Sequence, residues 1–197
     1  MSKKKTFKKK KSGSMTAMQK ATLALNIANK LRRELRPAIK TRDISVSDSI
    51  DNTTLGTHQV SNVNDGELDE ERTGNDIRSK STELKFTITK HATPATTIVR
   101  ISYIKYESSA EPSAGGVYDG GLGINNMKNL DNKSKIHFYK DQYITLTTDN
   151  PVYQGTYYKK HNFVTQFTNN LGTGRANNHL WFLYQSDQAS ATAPSLT

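Results

Sequence analysis

The chain has 197 residues, 34% hydrophobic, with no cysteine and a net charge of +10, which is the size of one domain carrying an extension. The missing cysteine excludes a disulfide framework and thiolate chemistry, and no apolar run approaches the roughly 20 residues of a membrane-spanning helix. The charge is uneven: residues 1–42 hold ten Lys and four Arg against the single acid Glu34, a net +13 that leaves residues 43–197 at −3.

A basic arm on a mildly acidic body implies a polyanion for the arm and a separate task for the body. Residues 1–13 hold Lys3, Lys4, Lys5, Lys8, Lys9, Lys10 and Lys11 and little that can be buried, so they are expected to be a disordered arm. The first residues lack the apolar stretch of a secretory signal, which predicts synthesis inside the cell. Residues 14–40 read as an amphipathic basic helix and linker. Ser14 is the expected N-cap, and residues 15–36 are free of Gly and Pro. Ala17, Ala21, Ala24, Ala28, Leu31 and Leu35, flanked by Met18 and Leu25, form one apolar stripe. Arg32, Arg33 and Arg36 crowd the last turn, where the helix dipole favours cations, and Pro37 ends it. With Lys20 and Lys30 they continue the lysine run, so nucleic-acid contact is expected in preference to an ordinary core helix with a solvated basic face.

From residue 41 to 197 the pattern is that of an all-β body. Ile44, Val46 and Ile50 alternate with polar residues, as do Leu84, Phe86 and Ile88, then Val99, Ile101 and Tyr103. Ile136–Phe138 and Ile144–Leu146 read as two short strands broken near Lys140 and Asp141. Phe163 and Phe167 share one face around Thr165; Leu180, Phe182 and Tyr184 share another, opposite Trp181 and Leu183. Turn formers separate these runs, and Gly-rich residues 108–134 read as a surface excursion. Seven or eight strands with no helical period between them predict an antiparallel sandwich.

Catalytic signatures are sparse. His58, His91, His137, His161 and His179 are scattered without metal-ligand spacing, and Gly120-Gly121-Leu122-Gly123 follows no clear strand and opens no helix. No Gly-flanked Ser nucleophile occurs, so no catalytic residue and no small-molecule substrate is expected. Tyr157-Tyr158-Lys159-Lys160-His161 reads either as stacking rings with phosphate-binding bases or as a polar loop leading into a strand. Asp65, Glu67, Asp69, Glu70 and Glu71 place five carboxylates in seven residues, beside Arg72 and near Arg78. They read as a solvated run, or as a subunit junction where carboxylates of several chains jointly hold Ca²⁺.

Together the lysine arm, the basic helix and a β body of about 150 residues resemble the single jelly-roll capsid proteins of the smallest icosahedral viruses. The nearest type is the coat protein of satellite tobacco necrosis virus and of small circular single-stranded DNA viruses. The resemblance is carried by residues 65–90, through Glu71-Arg72-Thr73-Gly74-Asn75-Asp76-Ile77 into the strand ending at Thr89. It continues through Ile98-Val99-Arg100-Ile101-Ser102-Tyr103-Ile104, Lys135-Ile136-His137-Phe138-Tyr139-Lys140-Asp141 and His179-Leu180-Trp181-Phe182-Leu183-Tyr184. Such proteins end in a long final strand, whereas residues 187–197 are rich in Ala, Ser and Thr with little to bury.

The resemblance implies a jelly-roll sandwich of two four-stranded sheets, self-assembly into a T=1-like shell of about 60 copies, and a packaged single-stranded genome. It implies residence in the virion after synthesis in the host cytoplasm, and no membrane partner. The lysine run reads equally as a nuclear import signal. At +13 per arm, about 60 copies bring roughly 780 positive charges, enough to neutralise on the order of 800 nucleotides. The alternative is a cellular nucleic-acid-binding β-barrel module with a basic extension, which predicts positive charge on the β face; the body's −3 speaks against it. A cupin-like enzyme would bring two or three clustered His and a carboxylate, and no such motif is present.

Overall fold

The structure is a computed structural model that describes residues 16–34, 43–63, 76–168 and 175–197. The chain divides into two units, residues 1–39 and residues 40–197.

The first unit contributes α1, Ala17–Glu34. Thr16 starts it with a reciprocal capping box: the Thr16 N–H donates to Gln19 Oε1 at 3.0 Å, and the Gln19 N–H donates to Thr16 Oγ1 at 3.3 Å. Thr16 therefore caps the helix, while the expected cap Ser14 lies outside the described residues.

The second unit holds strands β1 (Asp48–Ser49), β2 (Gly56–Gln59), β3 (Asp76–Thr89), β4 (Thr96–Tyr106), β5 (Ile136–Thr147), β6 (Val152–Phe167), β7 (Arg175–Asn177), β8 (His179–Ser186) and β9 (Ser195–Leu196). A one-turn helix α2, Ala114–Val117, lies between β4 and β5. One sheet has the order β1-β9-β3-β6-β7 and the other β2-β8-β4-β5. Every strand pairing is antiparallel. The pairs nest: β1 with β9, β2 with β8, β3 with β6, β4 with β5. The fold is a β-sandwich of two four-stranded antiparallel sheets, with β7 adding a three-residue flank to one of them.

The main core lies between the sheets. Phe86, Ile88 and Leu196 of one sheet pack with Val99, Ile101, Ile144, Leu146, Phe182 and Tyr184 of the other. Two aromatic rings lie flat over glycines of the partner strand, Phe86 over Gly155 and Tyr184 over Gly56. A Cβ on Gly155 would come within 2.2 Å of the Phe86 ring, and one on Gly56 within 1.9 Å of the Tyr184 ring. Only glycine leaves these rings room to fill the sandwich.

A second core covers the other face of β4 and β8. Ile104, Ile136, Trp181 and Leu183 pack there against Val117 and Tyr118 of the Gly-rich segment. The 108–134 segment, expected as a surface excursion, is thus a cover that buries Val117, Tyr118 and Ile124. Each fully buried side chain of this size contributes roughly 1.5–3 kcal/mol, which offsets the entropy of ordering so many glycines. The double cover explains why all eight residues of β8 are buried, although the sequence alternation resembles a strand with two different faces.

Four further expectations are corrected. The two short strands at 136–138 and 144–146 are one strand, β5, with Lys140 and Asp141 inside it and Tyr139 as the extra residue opposite the step from Tyr103 to Ile104. Residues 157–161 lie within β6 and are not a loop. The alternation from Ile44 to Ile50 yields only a two-residue strand, and β2 had no apolar signal to announce it. The last strand is two residues long, yet Leu196 is 2% exposed and sits between β1 and β3.

Candidate nucleic-acid interface

The basic residues nominated by the sequence fall mostly at the start of the chain. Lys3, Lys4, Lys5, Lys8, Lys9, Lys10, Lys11 and Arg36 lie outside the described residues, whereas Lys30, Arg32 and Arg33 fall within α1. Lys20 is exposed on the first half of α1. The apolar residues Met18, Leu23, Leu25 and Ile27 are exposed on α1 too. The carboxylates Asp65, Glu67, Asp69, Glu70 and Glu71 also lie outside the described residues. No cluster of His, Asp or Glu among the described residues is arranged to hold a metal ion. No helix among them is long and apolar enough to cross a membrane.

Three polar centres organise the body, none of them evident from spacing. The first fastens the cover to β4 and β5. Arg100, 2% exposed, grips Asp141 with two hydrogen bonds of 2.9 Å, from Nε to Oδ1 and from Nη2 to Oδ2. Its Nη1 donates to the carbonyls of Ile124 at 3.2 Å and Asn126 at 2.5 Å, and its guanidinium stacks 4.0 Å from the centre of the Tyr118 ring. Ser102 donates to Asp141 Oδ1 at 2.8 Å and shares a 2.7 Å hydrogen bond with the Tyr118 hydroxyl. Burial pushes the Asp141 carboxyl up, but the hydrogen bonds from Arg100 and Ser102 outweigh it and hold the group below its ordinary value. Burial pushes the Tyr118 hydroxyl up to about 12. The Gly-rich stretch itself turns on left-handed glycines at Gly120 and Gly121, and the Asn126 side chain donates to the carbonyls of Gly121 and Leu122. It is turn geometry under a buried ion pair.

The second centre joins β2, β6 and β8. His179 donates from Nε2 to the Gln166 carbonyl at 2.8 Å, so Nδ1 accepts from Gln59 at 3.0 Å and from Ser61 at 3.2 Å. Ser61 Oγ in turn accepts the Leu180 N–H at 3.0 Å. A Ser–His pair of this kind has the composition of an activated nucleophile. Both residues are buried and both already serve the backbone, so the arrangement holds strands together.

The third centre lies where β5 and β6 face each other. His161 Nε2 is 3.1 Å from the Tyr103 hydroxyl and 3.2 Å from Thr82 Oγ1, with Tyr139, Phe163 and Tyr103 rings around it. Burial, and then the neighbouring Lys159, lower the His161 pKa from 6.5 to about 4. A depressed histidine costs stability in acid: below 6.5 the unfolded chain binds a proton that the folded chain refuses until about pH 4. The body should therefore weaken between those values, by about 2–3 kcal/mol in all. Denaturant midpoints at pH 7, 5.5 and 4 measure this. His161→Gln, which keeps a hydrogen-bonding group, should flatten that dependence; a variant with the same pH profile would refute the assignment.

The charge of the chain thus divides unevenly, with +13 on residues 1–42, and the three polar centres of the sandwich tie its strands and cover together. No protein-family model matches the chain, and no curated protein matches it in sequence.

Proposed function

We propose that this chain is the structural coat protein of a small icosahedral shell, in which about 60 copies of the body form the wall and the basic leading segment binds a packaged single-stranded genome. The observation that carries the reading is the nested strand pairing, β1–β9, β2–β8, β3–β6 and β4–β5. A long antiparallel ribbon wound into a jelly roll has this order, and it gives a two-sheet block suited to tiling a wall. The charge division supports the same reading. A shell protein needs a body that tolerates its own copies and a separate cation-rich segment for the genome, and here +13 stands on residues 1–42 against −3 on the rest.

Electron microscopy of the purified full chain, paired with nuclease digestion, tests this. The expected result is uniform closed shells whose nucleic acid survives the nuclease. Monomers or small oligomers that bind nucleic acid and leave it digestible would favour the cellular binding-module alternative.

A further inference from the structure

The third centre extends to the surface. We infer that the seam between β5 and β6 is a second contact for single-stranded nucleic acid, on the body and distinct from the basic leading segment; the inference rests on the packaging function proposed above. β5 is the edge strand of its sheet, and β7 pairs with β6 only at Gln166 and Phe167. This side of the sandwich therefore presents side chains from both sheets, joined by the Tyr157 hydroxyl donating to the Tyr139 carbonyl at 3.0 Å.

The rings run as a continuous row. His137 lies 4.7 Å from Tyr139, Tyr139 lies 5.1 Å from His161, and His161 lies 5.3 Å from Phe163, centre to centre. His137 is exposed and Tyr139 and Phe163 are half-buried, while Tyr103 and His161 form a buried floor beneath them. Two lysines cross this row: Lys159 Nζ is 5.4 Å from the Tyr139 ring centre, and Lys105 Nζ is 5.5 Å from that of Phe163. Lys105 is paired with Glu107 at 2.5 Å, and Lys159 has no ion-pair partner among the described residues.

That arrangement matches what a single strand offers. Bases present flat faces, which stack on rings without regard to sequence, and the phosphates between them need cations at the rim of the stack. With its pKa lowered, His161 is neutral at pH 7, so the floor is an uncharged surface, and with Lys105 held by Glu107 it is Lys159 that supplies the charge. Its Nδ1 is buried without a hydrogen-bond partner, leaving one polar atom beneath Tyr139 and Phe163 unmatched. An acidic peptide would use the lysines but leave the row of rings without a role, so nucleic acid is the occupant favoured here.

The test is photo-cross-linking of the full-length protein to a single-stranded oligonucleotide carrying 5-bromouracil, with peptide mapping by mass spectrometry. Cross-links are expected in residues 137–139 or 157–163 as well as in residues 1–42. Tyr139→Leu should lower seam cross-links roughly five-fold or more, the low end of one lost stack, and leave those of residues 1–42 unchanged. Lys159→Gln, which alters a half-buried side chain and should not disturb folding, should reduce the salt slope of binding by about 0.7. Cross-links confined to residues 1–42, with an unchanged slope for Lys159→Gln, would overturn the seam and leave packaging by the leading segment standing. No cross-link anywhere would overturn both.

Discussion

If the proposed packaging role holds, deleting residues 1–12 should strip the shell of most of its nucleic acid. The deletion removes seven of the 28 cations, all from the segment with least capacity to be buried. Each lysine that meets a phosphate releases counterions and adds about 0.7 to the salt slope on a single strand, so the truncated chain should lose a slope of about 5. Over a fourfold rise in salt, the intact chain should therefore lose roughly a thousandfold more affinity than the truncated one. The body's core lies wholly within residues 40–197, so assembly should survive the deletion while the nucleic acid per shell falls. Binding titrations at three salt concentrations, with the absorbance ratio of purified shells, measure both effects. Equal slopes and equal nucleic-acid content would show that the lysines do not meet the genome.

The largest stability effect should come from Asp141→Ala. Removing it leaves the Arg100 guanidinium buried without its anion, a loss of about 3–5 kcal/mol for a buried pair. The damage should be local before it is global. Arg100 also holds the carbonyls of Ile124 and Asn126, so the cover that buries Val117 and Tyr118 should exchange its amide hydrogens first. Urea midpoints give the magnitude, and hydrogen exchange across residues 114–130 gives the location. Replacing both partners, Arg100→Met with Asp141→Leu, should recover part of the loss, because no charge is then left buried although the Ile124 and Asn126 carbonyls lose their donor. A single variant as stable as the parent would mean that water reaches Arg100 in solution. Acid weakens both this centre and His161, and the pH windows separate them. Asp141 is held below its ordinary value, so its contribution is present above about pH 4 and disappears as pH falls further, whereas the His161 loss occurs between 6.5 and about 4.

The β character of the body was legible because Leu84, Phe86 and Ile88, and Val99, Ile101 and Tyr103, keep a strict two-residue period and one face of each meets the core between the sheets. The two faces of β8 are also as read, Phe182 and Tyr184 against Trp181 and Leu183, but the period does not say that both are covered. Asp141 reads as a break because a carboxylate in mid-strand suggests solvent. The matching clue was Arg100, a charge in the middle of the apolar run 98–104, which is tolerated only when its anion is buried with it. The cover is harder to read, because two of the groups that Arg100 holds in it are backbone carbonyls, and carbonyls carry no residue identity. The seam was half legible, since Tyr157-Tyr158-Lys159-Lys160-His161 named its β6 side. Its β5 side, His137 and Tyr139, is brought near only by folding.

The central claim is that one chain closes a shell with copies of itself, and particle mass tests it most directly. Analytical ultracentrifugation of the purified full chain should give one sharp species near 1.3 MDa of protein, about 60 copies of 22.0 kDa. A chain that stays near 22.0 kDa, or that forms an open series of growing oligomers, in the presence of single-stranded nucleic acid would contradict it.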